Sequence, residues 1–232
     1  MKNKKIWMGS AAAAVLAAVM TAGGIMAYFT DTEEKVNHFT VGSVEITLEE
    51  PKWDEKPDED EDGVPDEAED LLPVQTVTKD PQITNTGTND AFVFAVVQVP
   101  CRNIVTANTD GTKNPQAMTD LFSYRPGNAW TSLGMYEVTG EDGSVTARKY
   151  LYAYAPLGEN CTVVKPGETT QPLFESVTFV NAVEGQGLEN AAFDLEISAY
   201  GIQTTDLDGG RETPAQVWGI LSNQKELPET YQ

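Results

Sequence analysis

Residues 85–100 read NTGTNDAFVFAVVQVP, and the change of character inside this stretch decides the fold class. The first six residues are turn formers: glycine supplies positive φ, while asparagine and aspartate side chains bond to nearby backbone. The next ten are almost wholly apolar, rich in valine and phenylalanine, and predict a buried strand. The same punctuation recurs outward from here. "GMYEV" and "SVTARKYLYAYAP" are separated by "GEDG" at residues 140–143, where Asp142-Gly143 signals a hairpin. "KPGETTQPLFESVTFV" and "NAAFDLEISAYGIQ" supply two more strands, with Val177, Phe179, Phe193, Leu195 and Ile197 alternating. Upstream, Phe39, Val41, Val44, Ile46 and Leu48 alternate with one slip around Gly42. Only residues 117–124 and 213–225 read as helix, the second with Pro214 in its first turn and Val217, Trp218 and Leu221 on one face. Eight or nine short strands with so little helix predict an all-β antiparallel sandwich.

The chain of 232 residues carries a formal charge of −21. A surface this anionic repels nucleic acid and anionic lipid, and divalent cations are its natural partners. The basic exceptions Lys2, Lys4 and Lys5 stand before residues 6–27, which hold no charge. This reads as a signal peptide over residues 1–27, cut between Ala27 and Tyr28, with the sandwich over 28–232. The run is also long enough for an uncleaved membrane anchor, and Ile25 departs from the small-residue cleavage pattern. In either case the acidic bulk is exported, and the leader is the one membrane contact. Without the three lysines, 12 basic residues face 36 acidic ones. Cys101 and Cys161 either close a loop of 60 residues, worth about 4 kcal/mol on a chain-entropy view, or stay as two thiols.

Residues 49–72 form an acidic excursion, with 13 acids between Glu49 and Asp70. Inside it, DEDEDGVPDEAE at residues 58–69 fits the twelve-residue calcium loop D-x-D-x-D-G-x5-E. Asp58, Asp60 and Asp62 would converge their carboxylates, Gly63 would allow the sharp turn, and Val64 would offer its carbonyl. Asp66 would act directly or through water, and Glu69 with two oxygens. Pro51 and Pro57 break any incoming helix, and Pro65 removes an N–H that paired loops exchange, so the loop resembles the solitary calcium loops of thrombospondin type 3 repeats. The competing reading is a solvated acidic spacer.

No H-E-x-x-H, phosphate-binding or dinucleotide-binding motif occurs, so no zinc site is visible. His38 is the one histidine, and the terminal LPETYQ lacks the glycine and tail of a sortase signal.

The leader with AYFTDTEEKVNHFTVGSVEITL, then KDPQITNTGTNDAFVFAVVQV, KPGETTQPLFESVTF and ISAYGIQ, resembles the TasA/camelysin family of Gram-positive bacteria. The resemblance implies a jelly-roll sandwich, cleavage by an ER-type signal peptidase, and a place in the extracellular biofilm matrix or on the cell surface. It further implies fibres, in which the N-terminal arm of one subunit completes the sheet of the next. Here that arm carries Tyr28, Phe29, Val36 and Phe39 as apolar contacts, and the partner is a second copy of the chain. Camelysins are also described as metallo-endopeptidases, so an enzyme is one rival expectation; a monomeric calcium-dependent adhesin is another.

Overall fold

The computed structural model describes residues 41–61 and 63–225. The leader, the Ala27/Tyr28 cut, the arm residues Tyr28, Phe29, Val36 and Phe39, His38, Asp62 and residues 226–232 lie outside them.

The main sheet contains β4 (Ala91–Ile104), β7 (Trp130–Thr139), β8 (Val145–Tyr154) and β10 (Glu196–Gln203), in the order β10-β4-β8-β7. All its pairings are antiparallel, and β5 (Ala117–Asp120) pairs with the far end of β4. The expected β7–β8 hairpin closes through Gly143 at φ +80°, with the Asp142 carboxylate accepting from Ser144 N–H at 3.0 Å.

A facing layer packs on this sheet. It holds β1 (Ile46–Glu49), β2 (Thr76–Thr78), β3 (Gln82–Asn85), β6 (Phe122–Tyr124) and β9 (Ser176–Phe179). β2 and β3 lie on one run of chain, and that run pairs piecewise along residues 167–178, from Asn85 and Gly167 to Thr76 and Thr178. β1 adds to β3 on one side, and β6 adds to β9 on the other. Among the described residues the layer therefore runs from β1 to β6.

β4 explains why its sequence lacks alternation. Val93, Ala95, Val97 and Val99 enter the core between the layers, together with Ile83, Phe174 and Val177. Phe92, Phe94 and Val96 point the other way and meet Val217, Trp218 and Leu221 of the C-terminal helix, labelled α2 (Pro214–Lys225). A strand covered on both faces needs apolar residues at every position.

Residues 117–124 are two strands, β5 and β6, rather than a helix. Met118, Leu121 and Phe122 have helical spacing, but the chain crosses between layers at Leu121, whose N–H bonds to Pro100 O at 2.9 Å. Tertiary pairing overrides the local pattern.

The cysteines do not form the bridge that export made plausible. Both are buried free thiols. Cys101 lies beside Asp120 at the inner face, while Cys161 belongs to the cluster beneath α2. The main sheet stands between them, so no disulfide geometry is within reach.

The acidic excursion runs over the surface as expected of so charged a segment. Helix α1 (Pro51–Asp54) is one turn long and ends before Pro57. Its base is pinned: Lys52 N–H donates to Asp80 Oδ1 at 2.8 Å, Lys52 Nζ meets Glu175, and Lys79 pairs with Glu50 at 2.5 Å beneath the Trp53 ring.

Candidate functional site

Three places carry polar or accessible chemistry. The first is the root of the N-terminal arm. Glycine and small polar residues leave the β3–β4 loop free to turn its amides toward a neighbouring strand. Thr86 and Gly87 N–H donate to Glu45 O at 2.9 and 3.0 Å, and Thr88 and Asn89 N–H donate to Ser43 O at 3.0 and 3.2 Å. Ser43 N–H returns a bond to Thr88 Oγ1 at 3.0 Å. A Cβ on Gly87 would lie 2.5 Å from Ser43 O, so only glycine lets the two backbones approach. The turn residues read from the sequence as punctuation therefore clamp residues 43–45. Immediately upstream, Val41 is 97% exposed.

The second place is the calcium-type loop. Gly63 adopts φ +90°, and its N–H donates to Asp58 Oδ2 at 2.9 Å. Asp66 Oδ1 accepts from Glu59 N–H at 2.9 Å, and Asp66 N–H bonds to Pro57 O at 3.0 Å. Asp66–Ala68 forms a 3-10 turn, after which Glu69 is extended. The loop is thus curled back on itself by Asp58 and Asp66. Asp60, Val64 and Glu69 lie on the same excursion, and Asp62 falls outside the described residues. Among the described residues no three His, Cys, Asp or Glu side chains converge as a metal-holding group.

The third place was not singled out by the sequence. Asp120 is a hub where β4, β5 and β8 meet. Its Oδ1 accepts from Arg148 Nη1 at 2.8 Å and from the Cys101 thiol at 3.1 Å, and its Oδ2 accepts from the Tyr150 hydroxyl. Arg148 also reaches Glu137 at 3.2 Å. Tyr124 continues the aromatic floor: its hydroxyl lies 3.1 Å from that of Tyr152, and its ring centroid 4.5 Å from that of Phe174. A cleft of about 400 Å³ opens here, lined by Val99, Asp120, Phe122, Ser123, Tyr124 and Tyr150 among others. The one signal that could have drawn attention here is Arg148 amid the alternating tyrosines of β8, since a half-buried guanidinium needs a carboxylate partner, although it does not say which of the acids that partner is.

The chemistry of the hub is that of a closed network. Burial first, then the Asp120 carboxylate, pushes the Cys101 thiol up to about 12. Burial likewise pushes Cys161 up to about 12 and raises the Tyr124, Tyr150 and Tyr152 hydroxyls. Neither thiol is a nucleophile near neutrality, since the thiolate is the reactive form.

An alkaline stability loss follows. The unfolded chain releases these protons first, from the ordinary thiol value of 9.0, whereas the folded chain holds them to about 12. Stability is complete below pH 9 and falls between these values, by about 1.4 kcal/mol per pH unit for each fully buried group. Denaturant melts across that range should show the fall, and an aromatic disulfide reagent should label neither cysteine in native protein at pH 8. Prompt labelling of both would contradict this burial.

The family model described as "Camelysin metallo-endopeptidase" matches residues 1–117, half of the chain. No curated protein and no solved structure matches it.

Proposed function

The chain belongs to the TasA/camelysin family, and on that premise we propose that it is an exported surface or matrix subunit that polymerises head-to-tail through residues 28–39. The family's members are generally secreted or surface-associated, which supports export. The observation that carries the assembly reading is the clamp on residues 43–45. Four backbone amides of the β3–β4 loop fix where the chain leaves the sandwich. The segment beyond it brings Tyr28, Phe29, Val36 and Phe39, which need apolar cover. A neighbour's sheet edge gives such a segment both cover and backbone partners. Every subunit then offers one arm and one acceptor, a head-to-tail contact that gives an open filament wherever the rotation between subunits does not close a ring.

A structural calcium ion belongs to the same reading, held by Asp58, Asp60, Asp62, Asp66 and Glu69 with the Val64 carbonyl. The inward curl of the loop supports it, since Gly63 at φ +90° directs its amide at Asp58. The ion would order the excursion.

The test is electron microscopy with light scattering on protein starting at Tyr28, beside protein lacking residues 28–36. Both are run with and without calcium at about 1 mM, the scale of extracellular sites. Filaments from the longer protein only are expected; monodisperse monomers from both would remove the fibre reading. Replacing Asp58, Asp60 and Asp62 together by asparagine should abolish the calorimetric calcium signal, and unchanged binding would remove the loop as the site.

The name of the matching family model favours a second reading, a metallo-endopeptidase. The donor-rich hub does not fit a divalent metal: Arg148 already occupies the space between Asp120 and Glu137, and Cys101 keeps its proton. His38 lies outside the described residues. Hydrolysis that stops with a chelator and returns with zinc would carry this second reading.

A further inference from the structure

Lys79 and Glu50 meet where little water reaches. Lys79 directly follows β2 and is 8% exposed, and Glu50 directly follows β1. Lys79 Nζ stands 2.5 Å from Glu50 Oε2, and the Trp53 ring centroid lies 4.1 Å from the same nitrogen. The other carboxylate oxygen, Glu50 Oε1, is buried. Among the described residues it is the one buried side-chain oxygen or nitrogen without a hydrogen-bond partner. Asp80, next in the chain, is committed elsewhere: its Oδ1 accepts from Lys52 N–H at 2.8 Å and its Oδ2 from Gln82 Nε2 at 3.3 Å. Lys79 therefore faces one carboxyl group, and that group is half satisfied.

We propose that Lys79 and Glu50 are joined by a side-chain amide formed within the folded chain. One proton of the ammonium passes to the carboxylate, which leaves an amine and a carboxylic acid. The Nζ lone pair then attacks Cδ and forms the N–C bond. One C–O bond breaks, and its oxygen leaves as water with the acid proton and one amine proton. Nothing is oxidised or reduced, and no co-reactant is needed.

Proximity favours the step. A contact of 2.5 Å plus one C–O bond of about 1.2 Å puts Cδ no further than about 3.7 Å from Nζ, close to the separation of a near-attack pair. Burial favours the product. Two charges withdrawn from water repay their desolvation only when the remaining lone pairs find partners, and Oε1 finds none. An amide carries no charge, so a carbonyl oxygen left alone in the same place costs less.

Position gives the bond a use. β1 joins the sandwich through a ladder of four residues with β3. Glu50 stands at the end of that ladder, and Lys79 lies 29 positions later, before β3. An amide between them closes the acidic excursion into a ring and ties the end of β1 to the body of the sandwich. A pull on the chain upstream of β1 would strip four pairs and then stop at Glu50. Both cysteines are free, so no disulfide supplies such a stop.

The experiment compares the intact mass of denatured protein starting at Tyr28 with the mass its sequence requires. A deficit of about 18 Da, one water, is expected. Trypsin does not cut after an acylated lysine, so a denatured digest should hold residues 36–52 and 53–102 joined as one species. Lys79→Arg keeps a cation beside Trp53 but offers no primary amine, and should show the full mass and separate peptides. The full sequence mass in the parent would overturn the amide. A water lost within a single peptide, as from ring closure at Asp110-Gly111 or Asp142-Gly143, would overturn it too, and so would a deficit that persists in Lys79→Arg. These outcomes need neither filaments nor calcium, so the amide and the fibre reading fail separately.

Discussion

Trp218→Ala is expected to destabilise the sandwich by about 3–5 kcal/mol, the range for truncating a large buried aromatic. Trp218 is 2% exposed and lies between Phe94 of β4, at a ring-centroid distance of 5.3 Å, and Tyr200 of β10, at 5.8 Å. It is the largest fully buried side chain of the molecule's described part. A helix of 12 residues is marginal in water by itself, so α2 keeps its structure through this contact and its neighbours Val217 and Leu221. Loosening the helix would uncover Phe92, Phe94, Val96 and Ile202, the outer face of the main sheet. Thermal unfolding should drop by about 10 °C for a chain of this size, with dye binding to the bared face before the main transition. A drop of only one or two degrees would mean that α2 does not hold that face closed. Val217→Ala removes less volume from the same seam and should cost about 1–3 kcal/mol, which separates a packing loss from an effect peculiar to the indole.

The same helix shows which parts of the fold could be read in advance. Its pattern was legible because Val217, Trp218 and Leu221 share a face and Pro214 marks the start. What it covers was not legible, since nothing in residues 214–225 names Phe94 as the partner. Residues 91–100 announced burial but could not say on which faces, because a strand covered on both sides has no alternation left to read. Residues 117–124 misled for the converse reason: a four-residue strand, a crossing at Leu121 and a three-residue strand are too short to display a period of two. The arm clamp was present in the sequence only as NTGTND, a turn signal. That its amides would grip Ser43 and Glu45 depends on pairing across more than 40 positions. The hub was hidden by composition. Asp120 is one of 36 acids, and only three-dimensional contact with Arg148, Tyr150 and Cys101 distinguishes it from the rest.

That hub yields the other large expected effect. Asp120→Ala should destabilise the protein by about 2–4 kcal/mol, the lower part of the range for breaking a buried ion pair because both side chains keep some solvent contact. The Asp120 and Arg148 side chains are 23% and 19% exposed, and Arg148 would be left with Glu137, which is 45% exposed. The Tyr150 hydroxyl and the Cys101 thiol would lose their acceptor in the same step, and each buried donor without a partner adds to the cost. Asp120→Asn keeps an acceptor oxygen and should cost about half as much, since it forfeits the charge but not every bond. The sign of the effect carries the argument about function. A carboxylate kept for catalysis or for a metal is held at a cost to the fold, so replacing it tends to leave stability unchanged or improved. Asp120 has all its bonds inside the chain and should behave the opposite way, as a tie between β4, β5 and β8. Urea unfolding of Asp120→Ala, Asp120→Asn and the double variant with Arg148→Met decides between the two. If the double variant recovers much of the loss seen in Asp120→Ala, the cost lay in an orphaned guanidinium. A stabilised Asp120→Ala would instead mark the carboxylate as one held ready for a ligand, and would return the cleft beside it to the search for an active site.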